Sequence, residues 1–103
     1  MSDEYQIHIP PSFIALYADA RQRLTVPMSE LRSRYEICED LANHMVEHAG
    51  GVHRSIGVPE DDVLARCLAG LRSAQSGVSA DEAVWIVRRL AELLGWDDPL
   101  SAA

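Results

Sequence analysis

The chain has 103 residues, a net charge of −7 and an apolar fraction of 48%, values typical of one small globular domain. All nine basic residues are arginine, so P-loop, Schiff-base and general-base chemistry that needs lysine is excluded. The negative charge disfavours binding to nucleic acid and to anionic membranes. The sequence has no nucleophile-elbow motif and no glycine-rich nucleotide-binding motif, and we expect a protein that is not an enzyme and carries no cofactor.

The first ten residues, "MSDEYQIHIP", predict an extended N-terminal arm over residues 1–10. Tyr5, Ile7 and Ile9 alternate with polar residues, which is a strand pattern. Because no second strand is predicted, the arm either packs as coil or pairs with a second copy. The segment has no secretory signal, and no apolar run is long enough to cross a bilayer, so we expect a cytoplasmic protein without membrane contacts.

Two helices are predicted in the next part of the chain. The stretch "PPSFIALYADARQRL" repeats apolar residues every three or four positions from Phe13 to Leu24, which favours one helix. A second helix is predicted after Ser29, a residue that commonly caps helices. Gly50 and Gly51 favour a stop there, while the following "VHRSIG" is compatible with either more helix or a loop.

Two further helices complete the predicted fold. One begins at Pro59 and carries acidic residues in its first turn. The other begins with Ser79 and Glu82 at the spacing of a capping box and ends at Gly95. Four amphipathic helices predict an all-α protein, a small four-helix bundle with an extended N-terminal arm. Residues 11–96 would form a single helical domain, and residues 97–103 a flexible tail.

The second predicted helix contains His44-x-x-Glu47-His48, which matches the inverted zinc-peptidase motif H-x-x-E-H. The two histidines are one helical turn apart, as a helical metal site requires. However, both lie at the flank of the predicted core face or outside it. The acids available as a third ligand on a later helix are Asp81, Glu82 and Glu92, and Glu82 is better explained by the capping box, while Glu92 lies on the polar side of its helix. Solvent-exposed histidines are the favoured interpretation. A metal held by His44, His48 and either His53 or a second subunit is the alternative.

The fourth predicted helix carries a candidate protein interface. Trp85, Arg88 and Arg89 lie within about one turn of each other, and tryptophan and arginine are enriched among the residues that dominate binding energy. Tyr5, Ile7 and Ile9 of the arm are the other interface candidates. The two cysteines, Cys38 and Cys67, fall in apolar patterns and are expected to be reduced core residues.

The runs "IHIPPSFIALY", "RYEICEDLA" and "RLAELLGW" resemble a family of short proteobacterial proteins of uncharacterised function. Members are sometimes labelled chaperone-type ATPases, a label that a lysine-free chain does not support because it has no Walker A motif. The resemblance implies a bacterial origin and association with a chaperone or ATPase made by another chain.

Taken together, these features predict an acidic, cytoplasmic helical protein that acts through protein contacts as an adaptor, regulator or accessory subunit. Its partner would be another protein or a second copy in a homodimer. The alternative is a metal-binding protein that uses the His44 and His48 pair.

Overall fold

The computed structural model describes residues 8–98, and within them the chain is all-α with four α-helices and no strand. The predicted all-α class is confirmed. The helices are α1 (Pro11–Ile14), α2 (Met28–Ile56), α3 (Glu60–Leu71) and α4 (Ala80–Leu94). The chain divides into two compact units, Met1–Ile37 and Cys38–Ala103. The predicted arm lies mostly outside the described residues, and the predicted single domain and flexible tail stay predictions.

In the first unit, the long helix predicted from Phe13 to Leu24 is wrong. α1 has only four residues and continues as a 3-10 helix, Ala15–Tyr17. The side chain of Asp19 then accepts hydrogen bonds from the backbone N–H groups of Arg21 and Arg23, at 2.8 and 3.0 Å. An aspartate that bonds to the nearby backbone competes with helical hydrogen bonding, so a turn replaces the remaining helix.

The turn brings the chain back toward Tyr17, whose carbonyl accepts a hydrogen bond from the backbone of Thr25 at 2.7 Å. Phe13 is fully buried, and its ring contacts those of Tyr17 and Tyr35 at centroid distances of 5.8 and 5.5 Å. This aromatic cluster, with buried Leu31, supplies the apolar contacts of the first unit. The periodicity from Phe13 onward therefore reflects burial of a short segment rather than a continuous helix.

Helix α2 has 29 residues and passes from the first unit into the second. The predicted stop at Gly50 and Gly51 is wrong, because α2 continues to Ile56 and is followed by Gly57 at φ 79°. Of the three glycines at positions 50, 51 and 57, only Gly57 adopts the left-handed backbone conformation for which glycine is the favoured residue. The segment "VHRSI", left open between helix and loop, is helical.

The termini of α4 match the sequence prediction. The Ser79 hydroxyl accepts a hydrogen bond from the Glu82 N–H at 3.0 Å, and the Glu82 carboxylate accepts one from the Ser79 N–H at 2.9 Å. This is the predicted capping box. Gly95 ends the helix at φ 74°, and the N–H of Trp96 reaches the carbonyl of Ala91 at 2.9 Å, as in a Schellman motif.

The core of the second unit comes mainly from α3 and α4, which pack against each other. α3 contributes Val63, Leu64 and Leu71, while α4 contributes Ala83, Trp85, Ile86, Val87, Leu90 and Ala91. α2 adds Cys38, Ala42 and Ala49 to the buried set. The buried residues of α2 are small, whereas α4 contributes bulky residues that fill the interior.

Candidate functional site

An open, largely apolar groove of about 320 Å³ lies between the C-terminal half of α2 and helix α3, entirely within the second unit. From α2 it is lined by Met45, His48 and Val52, spaced by three and four residues on one helix face. From α3 it is lined by Val63, Arg66, Cys67, Gly70 and Leu71, again one face. Each helix therefore contributes a stripe of side chains along the groove.

Glycine at position 70 leaves room in this groove. A Cβ atom built on Gly70 would meet no atom within 4 Å, so the space beside it is empty. Gly70 is part of α3 and its backbone does not require glycine. A side chain larger than hydrogen at this position would project into open space and occupy part of the groove.

The apolar stripe of α2 extends beyond the groove to an exposed isoleucine. Ile56 follows Val52 by one helical turn and lies on the same face as Met45, because their spacing of eleven residues is close to three full turns. Its side chain is 72% exposed. Ile56 therefore adds exposed apolar surface at the end of the groove.

The groove lining includes one cationic side chain, Arg66, and one histidine, His48. Arg66 and His48 are exposed, and neither makes a hydrogen bond or an ion pair with any other residue in the described range 8–98. Among the described residues that line the groove, none is acidic. Asp62 stands one turn before Arg66 on α3, but no ion pair joins them. The positive charge of Arg66 favours an anionic group of the ligand at this point of the groove.

Cys67 is the half-buried thiol of the groove, and it is not part of a disulfide. Burial raises its pKa above the ordinary value of 9.0, since the thiolate loses solvation. The thiol is therefore protonated at neutral pH and is a weak nucleophile. It contributes to the groove as a small apolar side chain. Cys38 is fully buried and also lacks a disulfide.

The histidines of the motif lie on the surface of α2. Nδ1 of His44 is 2.8 Å from the carbonyl oxygen of Asp40, and because a carbonyl can only accept, this nitrogen carries the proton. His48 lines the groove. Within residues 8–98, no three His, Cys, Asp or Glu side chains are grouped so that they could hold a metal ion. The metal hypothesis stays a prediction.

His53, near the end of α2, makes contacts that connect three parts of the second unit. Its Nδ1 donates to the carbonyl of Val58 at 2.7 Å, and Nε2 lies 3.9 Å from a carboxylate oxygen of Glu60. The ring of Trp96 packs against the imidazole edge-on, with centroids 5.2 Å apart. These contacts connect the end of α2 with the start of α3 and with the residue after α4, so His53 has a structural role.

The interface candidates of α4 make contacts within the chain. Trp85 is 7% exposed, so its ring is largely covered. Arg88 contacts the carboxylate of Asp98 at 2.7 Å, and Arg89 contacts those of Glu39 and Glu92 at 2.9 and 2.7 Å. Their interface role stays a prediction.

The arm residues proposed as an interface are only partly described. Ile9 is half-buried, whereas Tyr5 and Ile7 lie outside the described residues. The groove was not predicted from the sequence, because Cys67 was expected to be a core residue. Recognising "VHRSI" as helix would have placed Val52 and Ile56 on the Met45 stripe and indicated an uncovered face.

Comparison with family models, with curated proteins and with solved structures finds no match. The predicted resemblance to a proteobacterial family therefore remains a prediction. In the described part of the chain, no helix has both the length and the apolar character that crossing a membrane requires.

Proposed function

We propose that this protein is a protein–protein interaction module of the bacterial cytoplasm, an adaptor, regulator or accessory subunit whose partner docks in the groove between α2 and α3. The observation that carries the proposal is the open apolar groove continued by the exposed side chain of Ile56. A concave, mostly apolar surface of this kind is a candidate site for another molecule to bind. Two cysteines without a disulfide support a reducing compartment.

The size of the groove supports a protein partner. A cavity of about 320 Å³ is at the small end of the range for small-molecule sites, about 300–1,000 Å³. It can receive a few side chains from a partner whose remaining contacts lie on the rim. Apolar anchors inserted in a groove and surrounded by polar rim contacts are the usual organisation of protein interfaces.

The test places a photo-crosslinking amino acid at position 56 in the full chain, in cells that produce the protein. We expect one discrete adduct with another protein, identified by mass spectrometry. The Gly70→Leu variant fills the groove and should abolish the adduct. The matched Gly51→Leu variant, which also replaces a helical glycine with nothing within 4 Å of its Cβ but lies outside the groove lining, should retain it.

Circular dichroism verifies that both variants remain helical. If Gly70→Leu does not fold, Val52→Glu replaces it, since a carboxylate on the groove wall would also oppose docking of an apolar side chain. Persistence of the same adduct in the folded groove variant, or no adduct from position 56, would overturn the proposal.

A further inference from the structure

We propose that the segment that occupies the groove is a short amphipathic helix bearing a carboxylate that pairs with Arg66. The inference rests on the proposed docking function and goes beyond it by stating the chemistry of the partner. Three observations support it: the charge of the lining, the kind of secondary structure that surrounds the groove, and the length of its two stripes.

The charge of the lining favours a complementary group. Arg66 is exposed at the groove and makes no hydrogen bond or ion pair with residues 8–98, and the same holds for His48. Arg89, by comparison, is held by two carboxylates of its own chain. The guanidinium of Arg66 therefore keeps all its donors available, and its planar geometry suits a two-point contact with a carboxylate.

The secondary structure around the groove favours a helical occupant. Both walls are helices, and the described part of the chain has no strand whose edge could pair with an extended peptide. An extended segment would leave its backbone N–H and C=O groups without partners against apolar walls. A helix satisfies those groups internally and presents only side chains, which is the helix-in-groove mode of recognition.

The length of the groove sets the length of the helix. The α2 stripe from Met45 to Val52 spans about 10 Å, and Ile56 extends it to about 16 Å, at 1.5 Å per residue. A partner helix of three turns, with apolar residues at positions i, i+3 or i+4, and i+7, matches this distance. Arg66 lies on the α3 wall, so the carboxylate would flank the apolar stripe rather than lie within it.

The experiment selects binders from a displayed library of 14-residue helical peptides, with randomised residues on one face, against the full chain. We expect the selected peptides to share an apolar stripe with one flanking Asp or Glu. Replacing that acid with its amide, or Arg66 with glutamine, should weaken binding about three- to tenfold. The Arg66→Glu variant should instead prefer peptides that carry lysine at the same position.

Salt dependence and a matched variant provide the controls. Binding of the acidic peptides should weaken as ionic strength rises, whereas binding of the amide peptides should not. Arg72→Gln changes another exposed arginine, just after α3 and outside the groove lining. It should leave binding unchanged.

The outcomes separate this inference from the proposed function. Selected peptides could fail to bind Gly70→Leu and yet show no preference for an acidic residue and no change in affinity for Arg66→Gln. That result would overturn the acidic helix and retain the docking function. Binders unaffected by Gly70→Leu, or no enrichment, would overturn both. Native mass spectrometry could instead show a concentration-dependent dimer that Gly70→Leu abolishes, and the occupant would then be a second copy of the chain. If decanoate at micromolar concentration displaces a selected peptide, the occupant would be a small apolar carboxylate. Either result would overturn the helical partner.

Discussion

The guanidinium of Arg89 on α4 holds the carboxylate of Glu39 on α2 through both oxygens, with Nε–Oε1 and Nη2–Oε2 distances of 2.9 Å. The two residues are fifty positions apart in the sequence, and both are more than two-thirds buried, with 32% and 23% of their side-chain surface exposed. A two-point contact of this kind fixes orientation as well as distance. It joins the two helices at a place where the groove does not reach.

Arg89→Ala should lower the free energy of unfolding by about 1–2 kcal/mol, because a partly buried, charge-assisted contact is worth more than an exposed ion pair. Urea denaturation followed by tryptophan fluorescence measures the change. The matched control is Arg88→Ala, which removes the more exposed pair with Asp98 and should cost less. Equal effects of the two substitutions would contradict the special contribution of the Glu39 contact.

The same pair should make stability depend on pH. The hydrogen bonds from Arg89 lower the pKa of Glu39 below its ordinary value of 4.5, so the folded state favours the ionised carboxylate. The resulting stabilisation is complete above 4.5 and is lost as the pH falls through the lowered pKa. The stability difference between wild type and Arg89→Ala should therefore be full at pH 7 and shrink below pH 4.5. A difference that grows in acid would show the opposite linkage.

Two glycine substitutions should have opposite effects on stability. Gly51 is inside α2, and Gly51→Ala should stabilise the fold by up to about 1 kcal/mol through higher helix propensity. Gly95 has φ 74°, and Gly95→Ala should destabilise by about 1–2 kcal/mol because alanine is strained in the left-handed region. Thermal unfolding measures both. A destabilising Gly51→Ala would indicate that α2 ends at the glycine pair.

Cys67 should react slowly with thiol reagents. Its burial raises the pKa of the thiol, so less thiolate is present at pH 8 than in the unfolded chain. We expect a disulfide reagent to modify Cys67 more slowly in the native protein than in 6 M guanidinium. In the native protein, the pH at which the reaction accelerates should be higher than for an ordinary thiol. Cys38, which is fully buried, should remain unmodified in Cys67→Ser. Rapid modification of native Cys67 at neutral pH would contradict the half-buried placement.

The protein purified without chelator should be free of bound metal. Within residues 8–98 the structure offers no group of three metal-ligating side chains, and His53 is bonded to Val58. Native mass spectrometry measures the bound mass directly. Stoichiometric metal that disappears in the His44→Ala, His48→Ala double variant would establish the metal-binding alternative instead.

Local signals predicted the second half of the chain well and the first half poorly. The Ser79 and Glu82 spacing and Gly95 predicted the limits of α4 correctly, because each acts on the backbone within one turn. The periodicity after Phe13 predicted a helix that Asp19 prevents, since a side chain that bonds the nearby backbone can override propensity. Gly50 and Gly51 do not end α2, because burial of this part of the helix, at Ala49 and Gly50, outweighs the low helix propensity of glycine.

The groove was the part of the site that sequence reasoning could not provide. Apolar periodicity indicates that Met45 and Cys67 lie on the apolar faces of their helices. It does not indicate whether a neighbouring element covers those faces. That depends on where α2 and α3 diverge and on the absence of a side chain at Gly70. Trp85 is largely buried inside its own chain, which its residue type did not indicate, and its interface role stays a prediction.

The most direct measurement compares photo-crosslinking from three positions of the full chain in cells. Position 56 lies on the extension of the groove, position 88 on the exposed face of α4, and position 65 on the side of α3 away from the groove. The proposed docking function predicts one partner adduct from position 56 and none from the other two. An adduct from position 88 alone would place the partner at the α4 face and contradict docking in the groove.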